Sequence, residues 1–290
     1  MSGSRVKTLI KFVVSISLIV FLSTKIDFST FRVLGWKYLI PIAISVCIGL
    51  TAIFLMSVRW LGFCTTFLDI KPKIITLYTF YLIGSFFNIF LPGAIGGDIV
   101  RTQKLVSRFK VKIKSATFIT IAERILGLYG LCVLLLISLI LKTYPPKLKI
   151  IPELPTFWFY VGILVLFLLL PLTRFLLKKR QLEVSYTFIF ETILILLMAQ
   201  FGDIIIAYLL SHYMGVSISF FAIMFIMPIV YFATVIPVSL GGLGVREGTF
   251  AGLMLLYGVS TSTSVIISFS MYFVKILIGI IGGIIYIKEK

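Results

Sequence analysis

Six apolar stretches, at 8–23, 38–58, 116–141, 157–172, 188–210 and 263–287, carry few or no charges. They approach or exceed the ~20 helical residues needed to cross the hydrocarbon core of a bilayer. Two further stretches are apolar but interrupted. The first is apolar over 74–91, breaks at a proline and a glycine cluster, and resumes over 98–109; the second runs over 220–236, breaks in the same way and resumes over 244–257. Proline ends a helix by removing a donor and clashing with the preceding turn, and glycine lets the chain turn sharply, so each reads as two half-helices around a break. The pattern predicts an all-α polytopic membrane protein of about six full spans plus two re-entrant broken-helix hairpins.

The two breaks are copies of one motif. PGAIGGDIVR at 92–101 and PVSLGGLGVR at 237–246 share the form P-x-x-x-G-G-x-x-V-R, and both ends are displaced by 145 residues, half of the 290-residue chain. This is an internal repeat, and it predicts a single membrane domain over 1–290 with pseudo-repeat halves 1–145 and 146–290. The hairpin tips comprise Asn88, Pro92, Gly96 and Gly97 in the first half and Pro237, Gly241, Gly242 and Gly244 in the second. With a cytoplasmic N-terminus and both hairpins re-entrant, 17 of the 27 basic residues fall inside, 6 fall outside and 4 (Arg101, Arg124, Arg246 and Lys275) lie at membrane depth. Arg59 is counted among those inside. That bias fits the excess of Lys and Arg on cytoplasmic loops. The halves then have inverted topology, both termini are cytoplasmic, and the tips meet near the midplane, where transporters built from inverted repeats bind their substrates.

Composition changes the picture only by excluding alternatives. Hydrophobic residues make up 60% of the chain and the mean hydropathy is +1.16, far above a soluble domain. In a soluble protein the net charge of +17 would suggest nucleic acid. Here the basic groups sit in short segments between apolar runs, where they orient the chain and meet anionic lipid, so no nucleic-acid partner is expected. Cys47, Cys64 and Cys132 stand in apolar surroundings without metal-type spacing and are read as packing residues. The N-terminal run resembles a signal peptide, but no small-residue cleavage site follows Leu22, and a retained first helix is expected. There is no H-E-x-x-H, Walker A, Cys/His cluster or G-x-S-x-G, so no catalytic residue, metal or cofactor is assigned.

The candidate chemistry lies in nine charged residues expected at membrane depth: Asp98, Arg101, Glu123, Arg124, Glu191, Asp203, Arg246, Glu247 and Lys275. A charge at the centre of a span costs about 2.5–3.5 kcal/mol on insertion scales, so each needs a partner or a polar cavity. Asp98 opens a half-helix and is expected to cap it. Arg101, one turn on, either grips a phosphate, helped by the helix N-terminus, or pairs with Asp98. Arg246 is its counterpart, but Leu243 stands where Asp98 would be, and the adjacent Glu247 is not expected to face it. That makes Arg246 the freer arginine. Glu123 is expected to neutralise Arg101 or Arg246, and Arg124 to reach a headgroup or form an interhelical pair. Asn88 is expected to satisfy carbonyls freed at the first break. Lys275 is expected to pair with Asp203 or Glu191 as packing glue.

Three motifs carry a family resemblance: Asn88 with PGAIGGDIVR, then ERILGL at 123–128, then PVSLGGLGVRE at 237–247. In this order the chain resembles the flippase-like membrane domain found at the N-terminus of lysylphosphatidylglycerol synthases and as stand-alone proteins in bacteria and archaea. The resemblance implies spans with re-entrant helices, a prokaryotic plasma-membrane location and movement of phospholipids or lipid-linked headgroups between leaflets. It implies a substrate site at Asp98, Arg101, Glu123, Arg124, Arg246 and Glu247. No aminoacyl-transferase domain follows Lys290, so lysylation of lipid by this chain alone is not expected. The rival readings are a membrane transferase acting on a lipid-linked substrate, and a non-catalytic partner of a separate lipid-modifying synthase. A homo-oligomer is compatible with either.

Overall fold

The computed structural model describes residues 35–90, 96–145, 185–235, 242 and 244–289, and among them all regular structure is helical. A short 3-10 turn, Trp36–Tyr38, leads into α1 (Leu39–Leu68), which is followed by α2 (Ile74–Phe90), α3 (Gly96–Phe109) and α4 (Ile113–Ile140). After an interval outside the described residues come α5 (Tyr186–Tyr213), α6 (Phe220–Val235), α7 (Val245–Leu256) and α8 (Thr261–Lys288). Four of these helices, α1, α4, α5 and α8, are long and apolar enough to cross a membrane. The expected spans over 8–23 and 157–172 lie outside the described residues, as do Pro92, Pro237 and Gly241.

Most helix ends follow from local chemistry. Ser185 caps α5 by accepting from the Thr187 N–H at 3.1 Å, and Ser260 caps α8 by accepting from the Thr263 N–H at 3.2 Å. The α2 helix stops shortly before Pro92, whose ring disfavours helical backbone in the residue before it. The largest departure from the expected lengths is at α1, which continues ten residues beyond 58 to Leu68, with Arg59 buried within the bundle and not marking a membrane surface.

The helix ends repeat along the chain. α1 and α5 end at Leu68 and Tyr213, and α2 and α6 end at Phe90 and Val235, each pair 145 residues apart; α4 and α8 correspond with a shift of 148 at both ends. Packing repeats as well. α2 lies along α8 as α6 lies along α4, α3 packs on α4 as α7 does on α8, and α1 packs against α5.

The α2–α8 seam depends on small residues. A Cβ at Gly282 would lie 1.8 Å from the Leu82 carbonyl oxygen, and one at Gly279 would lie 2.3 Å from the Ile89 side chain. Close backbone approach of this kind lets helices associate in lipid, where apolar side chains gain nothing by leaving the solvent. The outer surface is correspondingly apolar, with Ile121 and Ile125 of α4, Phe190, Leu194 and Met198 of α5, and Ile280, Ile284 and Ile287 of α8 all exposed. The interior holds an apolar core shared by α5, α6 and α8, and a second core around Trp60, Phe63, Leu77, Leu105 and Ile119. The second core draws on α1, α2, α3 and α4.

Candidate functional site

At the first break the α3 N-terminus docks closely on α2. The Asn88 side-chain oxygen accepts from the Gly97 N–H at 2.7 Å, so Asn88 satisfies an orphan donor of α3. Gly97 cannot carry a side chain in this position, because its Cβ would stand 2.2 Å from the Gly84 carbonyl oxygen. This docking places the first turn of α3 beside the middle of α4.

Four of the six expected site residues meet there. Arg101 Nε donates to Asp98 Oδ1 at 2.9 Å, and Arg124 Nε pairs with the other Asp98 oxygen. The Asp98 carboxylate thus turns towards two arginines and does not serve mainly as a cap. Arg101 Nη2 lies 2.7 Å from Glu123 Oε2, an ion-pair distance with the N–H directed off the line of a hydrogen bond, so that oxygen still lacks a hydrogen-bond donor. The other Glu123 oxygen accepts from Arg59 Nη2 at 2.8 Å and from the Tyr81 hydroxyl at 2.6 Å. The Arg101 guanidinium also lies over the Trp60 and Tyr81 rings, at 4.7 and 4.3 Å from their centroids. Arg101 and Glu123 are 4% and 2% exposed, whereas the Arg124 side chain is 39% exposed.

Arg59 is therefore a member of this network, and its assignment to the cytoplasmic surface is corrected. The signal was present: Trp60, Leu61, Gly62, Phe63 and Cys64 continue the apolar run past it, and a charge flanked by apolar residues on both sides belongs inside a span. Tyr81 and Trp60 gave no such signal, since an aromatic residue in an apolar helix resembles ordinary packing.

The second break is built differently. Gly242 and Gly244 turn the chain with φ of 79° and 82°, values that favour glycine. Glu247 reaches back to accept from the Gly244 N–H at 2.7 Å, and its other oxygen holds Arg246 through Nη2 at 2.5 Å. Arg246 is therefore paired with its neighbour, contrary to the expectation that it is the freer arginine. In the first turn of a helix the glutamate bends back over the N-terminus, and its carboxylate swings into reach of the preceding side chain. Arg246 also lies 4.8 Å from the Tyr272 ring centroid. Lys275 is joined to Asp203 through Tyr231, whose hydroxyl accepts from Lys275 Nζ at 3.2 Å and donates to Asp203.

The two clusters carry exchanged signs. In the first half the cation is on α1 (Arg59) and the anion on α4 (Glu123). In the second the anion is on α5 (Asp203) and the cation on α8 (Lys275). By the repeat offsets, Asp203 lies one residue from the counterpart of Arg59, and Lys275 one helical turn from that of Glu123.

The family model described as the lysylphosphatidylglycerol synthase TM region matches residues 8–283. The chain belongs to the lysylphosphatidylglycerol synthase TM-region family. Neither the curated proteins nor the solved structures yield a match. As a multi-pass membrane protein of this family, the chain places the repeated arginines in the N-terminal parts of α3 and α7, Arg101 in the second turn and Arg246 in the first, each buried against a glutamate.

Proposed function

We propose that this protein moves phospholipids or lipid-linked headgroups between leaflets without altering them chemically. The observation that carries this reading is the pair of buried carboxylate–guanidinium clusters at half-helix N-termini, enclosed by helices of membrane-spanning length. Glu123 begins its eleventh residue into α4, about 15 Å from the helix end at 1.5 Å per residue, which is near the middle of a bilayer. A phosphate crossing the membrane needs cationic donors at that depth to replace its hydration, and arginine supplies them in a bidentate fork. The substrate contacts are Asp98, Arg101, Glu123, Arg124, Arg246 and Glu247. Arg124, the most open of the six, meets the headgroup first, and the phosphate displaces it from Asp98. Half-helix N-termini, at the positive end of the helix dipole, favour an anion in the same place.

Arg124→Ala is expected to slow leaflet exchange at least tenfold with little loss of stability, because a pair this exposed contributes only about 0.2–1 kcal/mol. The measurement is exchange of fluorescent phospholipid in vesicles containing the purified protein, read by quenching the outer leaflet, with thin-layer analysis of the recovered lipid. Wild-type exchange in Arg124→Ala sinks the assigned contact, and a chemically changed lipid points to a transferase.

The same reading takes 1–145 and 146–290 as two inverted halves of one domain, with both broken elements re-entrant from opposite faces and both termini cytoplasmic. The matched helix ends and matched packing support it. Single cysteines at Lys110 and Ser260, in a background without Cys47, Cys64 and Cys132, are expected to label from opposite sides of the membrane. Labelling of both from one side removes the inverted arrangement.

A further inference from the structure

The Asp203–Tyr231–Lys275 chain is not used by the headgroup contacts described above, yet it is the second set of ionisable side chains held inside the bundle. It draws on three helices, with Asp203 on α5, Tyr231 on α6 and Lys275 on α8. The fourteenth residue step into α8 places Lys275 about 20 Å from either end of the helix, well beyond the reach of a snorkelling side chain. The hydrogen bonds run in one direction. The Lys275 ammonium donates to the Tyr231 hydroxyl, and that hydroxyl donates to the Asp203 carboxylate. The Lys275 Nζ also lies 5.1 Å from the Tyr231 ring centroid. From α7, Arg246 and Glu247 face Lys275 electrostatically, and Arg246 also acts on Tyr231. The three side chains are each of intermediate exposure.

We infer that Asp203, Tyr231 and Lys275 form a proton-binding site that couples headgroup movement to a proton gradient, an inference that rests on the translocase reading for its coupling but not for its proton binding. The four charged groups here, Arg246, Lys275, Asp203 and Glu247, balance formally. Asp203 accepts from the Tyr231 hydroxyl with the Lys275 ammonium beyond it, and its carboxylate is the group of the three that a proton from water neutralises. A proton taken from water adds to the Asp203 carboxylate and makes it a carboxylic acid, with no other bond broken; it returns to water when the acid dissociates. In the protonated state Lys275 and Arg246 share one uncompensated positive charge in a medium of low dielectric, where it is costly. A lipid with a monoanionic phosphodiester removes that charge by approaching Arg246. Proton and headgroup therefore enter together as a neutral pair, and each leaves more readily once the other has gone.

The test uses the full chain in vesicles of phosphatidylcholine and phosphatidylglycerol, with fluorescent phosphatidylglycerol as probe and the membrane potential clamped by potassium and valinomycin. A pH step of one unit changes the proton activity by a factor of about ten, so exchange in the wild type is expected to change by up to that factor. Asp203→Asn and Lys275→Met are expected to lose the response to the step. An unresponsive wild type, or an Asp203→Asn variant that responds like it, overturns the coupling. A second arm needs no transport: infrared titration in detergent is expected to show a protonated-carboxyl stretch that grows on acidification and is missing from Asp203→Asn. Tyr231→Phe, which keeps both charged groups, is expected to retain that band at a displaced pH. If the band is the same in wild type and Asp203→Asn, the proton site is wrong even where lipid moves. If the band behaves as expected and no lipid moves, the proton site stands and the translocase reading falls.

Discussion

Glu123→Gln is expected to lower the stability of the folded protein by about 3–5 kcal/mol, the cost of leaving one member of a buried ion pair uncompensated. Glu123 is the partner of both Arg59 and Arg101, at 2.8 and 2.7 Å, and all three side chains are almost fully enclosed. Arg101 keeps Asp98 when the charge at 123 is removed, whereas Arg59 keeps nothing among its described ion pairs. The double variant Arg59→Met with Glu123→Gln is therefore expected to recover most of the loss, since it also removes the buried charge that the single variant leaves unpaired. Unfolding in mixed detergent micelles, followed by tryptophan fluorescence, measures both. Trp60 lies directly under Arg101 and reports locally on the network. A single variant as stable as wild type, or a double variant no better than the single, would remove Glu123 from its place as the common counter-charge.

Gly282→Ala is expected to be as damaging by an unrelated route. Its new methyl would stand 1.8 Å from the Leu82 carbonyl oxygen and 2.4 Å from the carbonyl carbon, both backbone atoms that no rotamer change can move aside. The α2 and α8 axes must separate, and the neighbouring contacts of Gly279 with Ile89 and of Gly283 with Phe86 separate with them. Overpacking of a close interface typically costs about 1–3 kcal/mol, and a seam made of three such contacts lies at the upper end or beyond. Gly127 and Gly252 are the controls. Both are helical with nothing within 4 Å of an added Cβ, and alanine there is expected to stabilise by up to about 1 kcal/mol through helix propensity. The same midpoint measurement compares them, and a Gly282→Ala midpoint close to those of the controls would mean that α2 and α8 do not meet as described.

Much of the helical framework was legible because hydropathy and helix breakers act locally. The ends of α2, α3, α6 and α7 fall within two residues of the limits read from apolar runs, proline and glycine. The grouping of Asp98, Arg101, Glu123 and Arg124 was only partly legible. Charges at membrane depth announce that partners exist, but the choice between Arg101 and Arg246 as the partner of Glu123 depends on how α3 docks, which Gly97 and Asn88 decide in three dimensions. Arg59 was missed because a charge was weighed by its sign in the topology and not by the apolar run continuing beyond it. The Arg246–Glu247 contact was missed because adjacent helical residues diverge in a regular helix, while a glutamate that folds back onto Gly244 does not follow the regular pattern.

The order in which the ribosome delivers these helices gives the Arg59–Glu123–Arg101 network a consequence for biogenesis. Both arginines are synthesised before their shared counter-charge; Arg101 already has Asp98, but Arg59 in an isolated α1 span would cost about 2.5–3.5 kcal/mol on insertion. Arg59 is thus expected to await α4 for its counter-charge, and α1, α3 and α4 to settle as a group. The α2 helix waits longer still. Its Leu82, Phe86 and Ile89 face the glycines of α8, the last of the described helices in chain order, so a chain arrested before Thr261 would present an uncovered seam to membrane quality control.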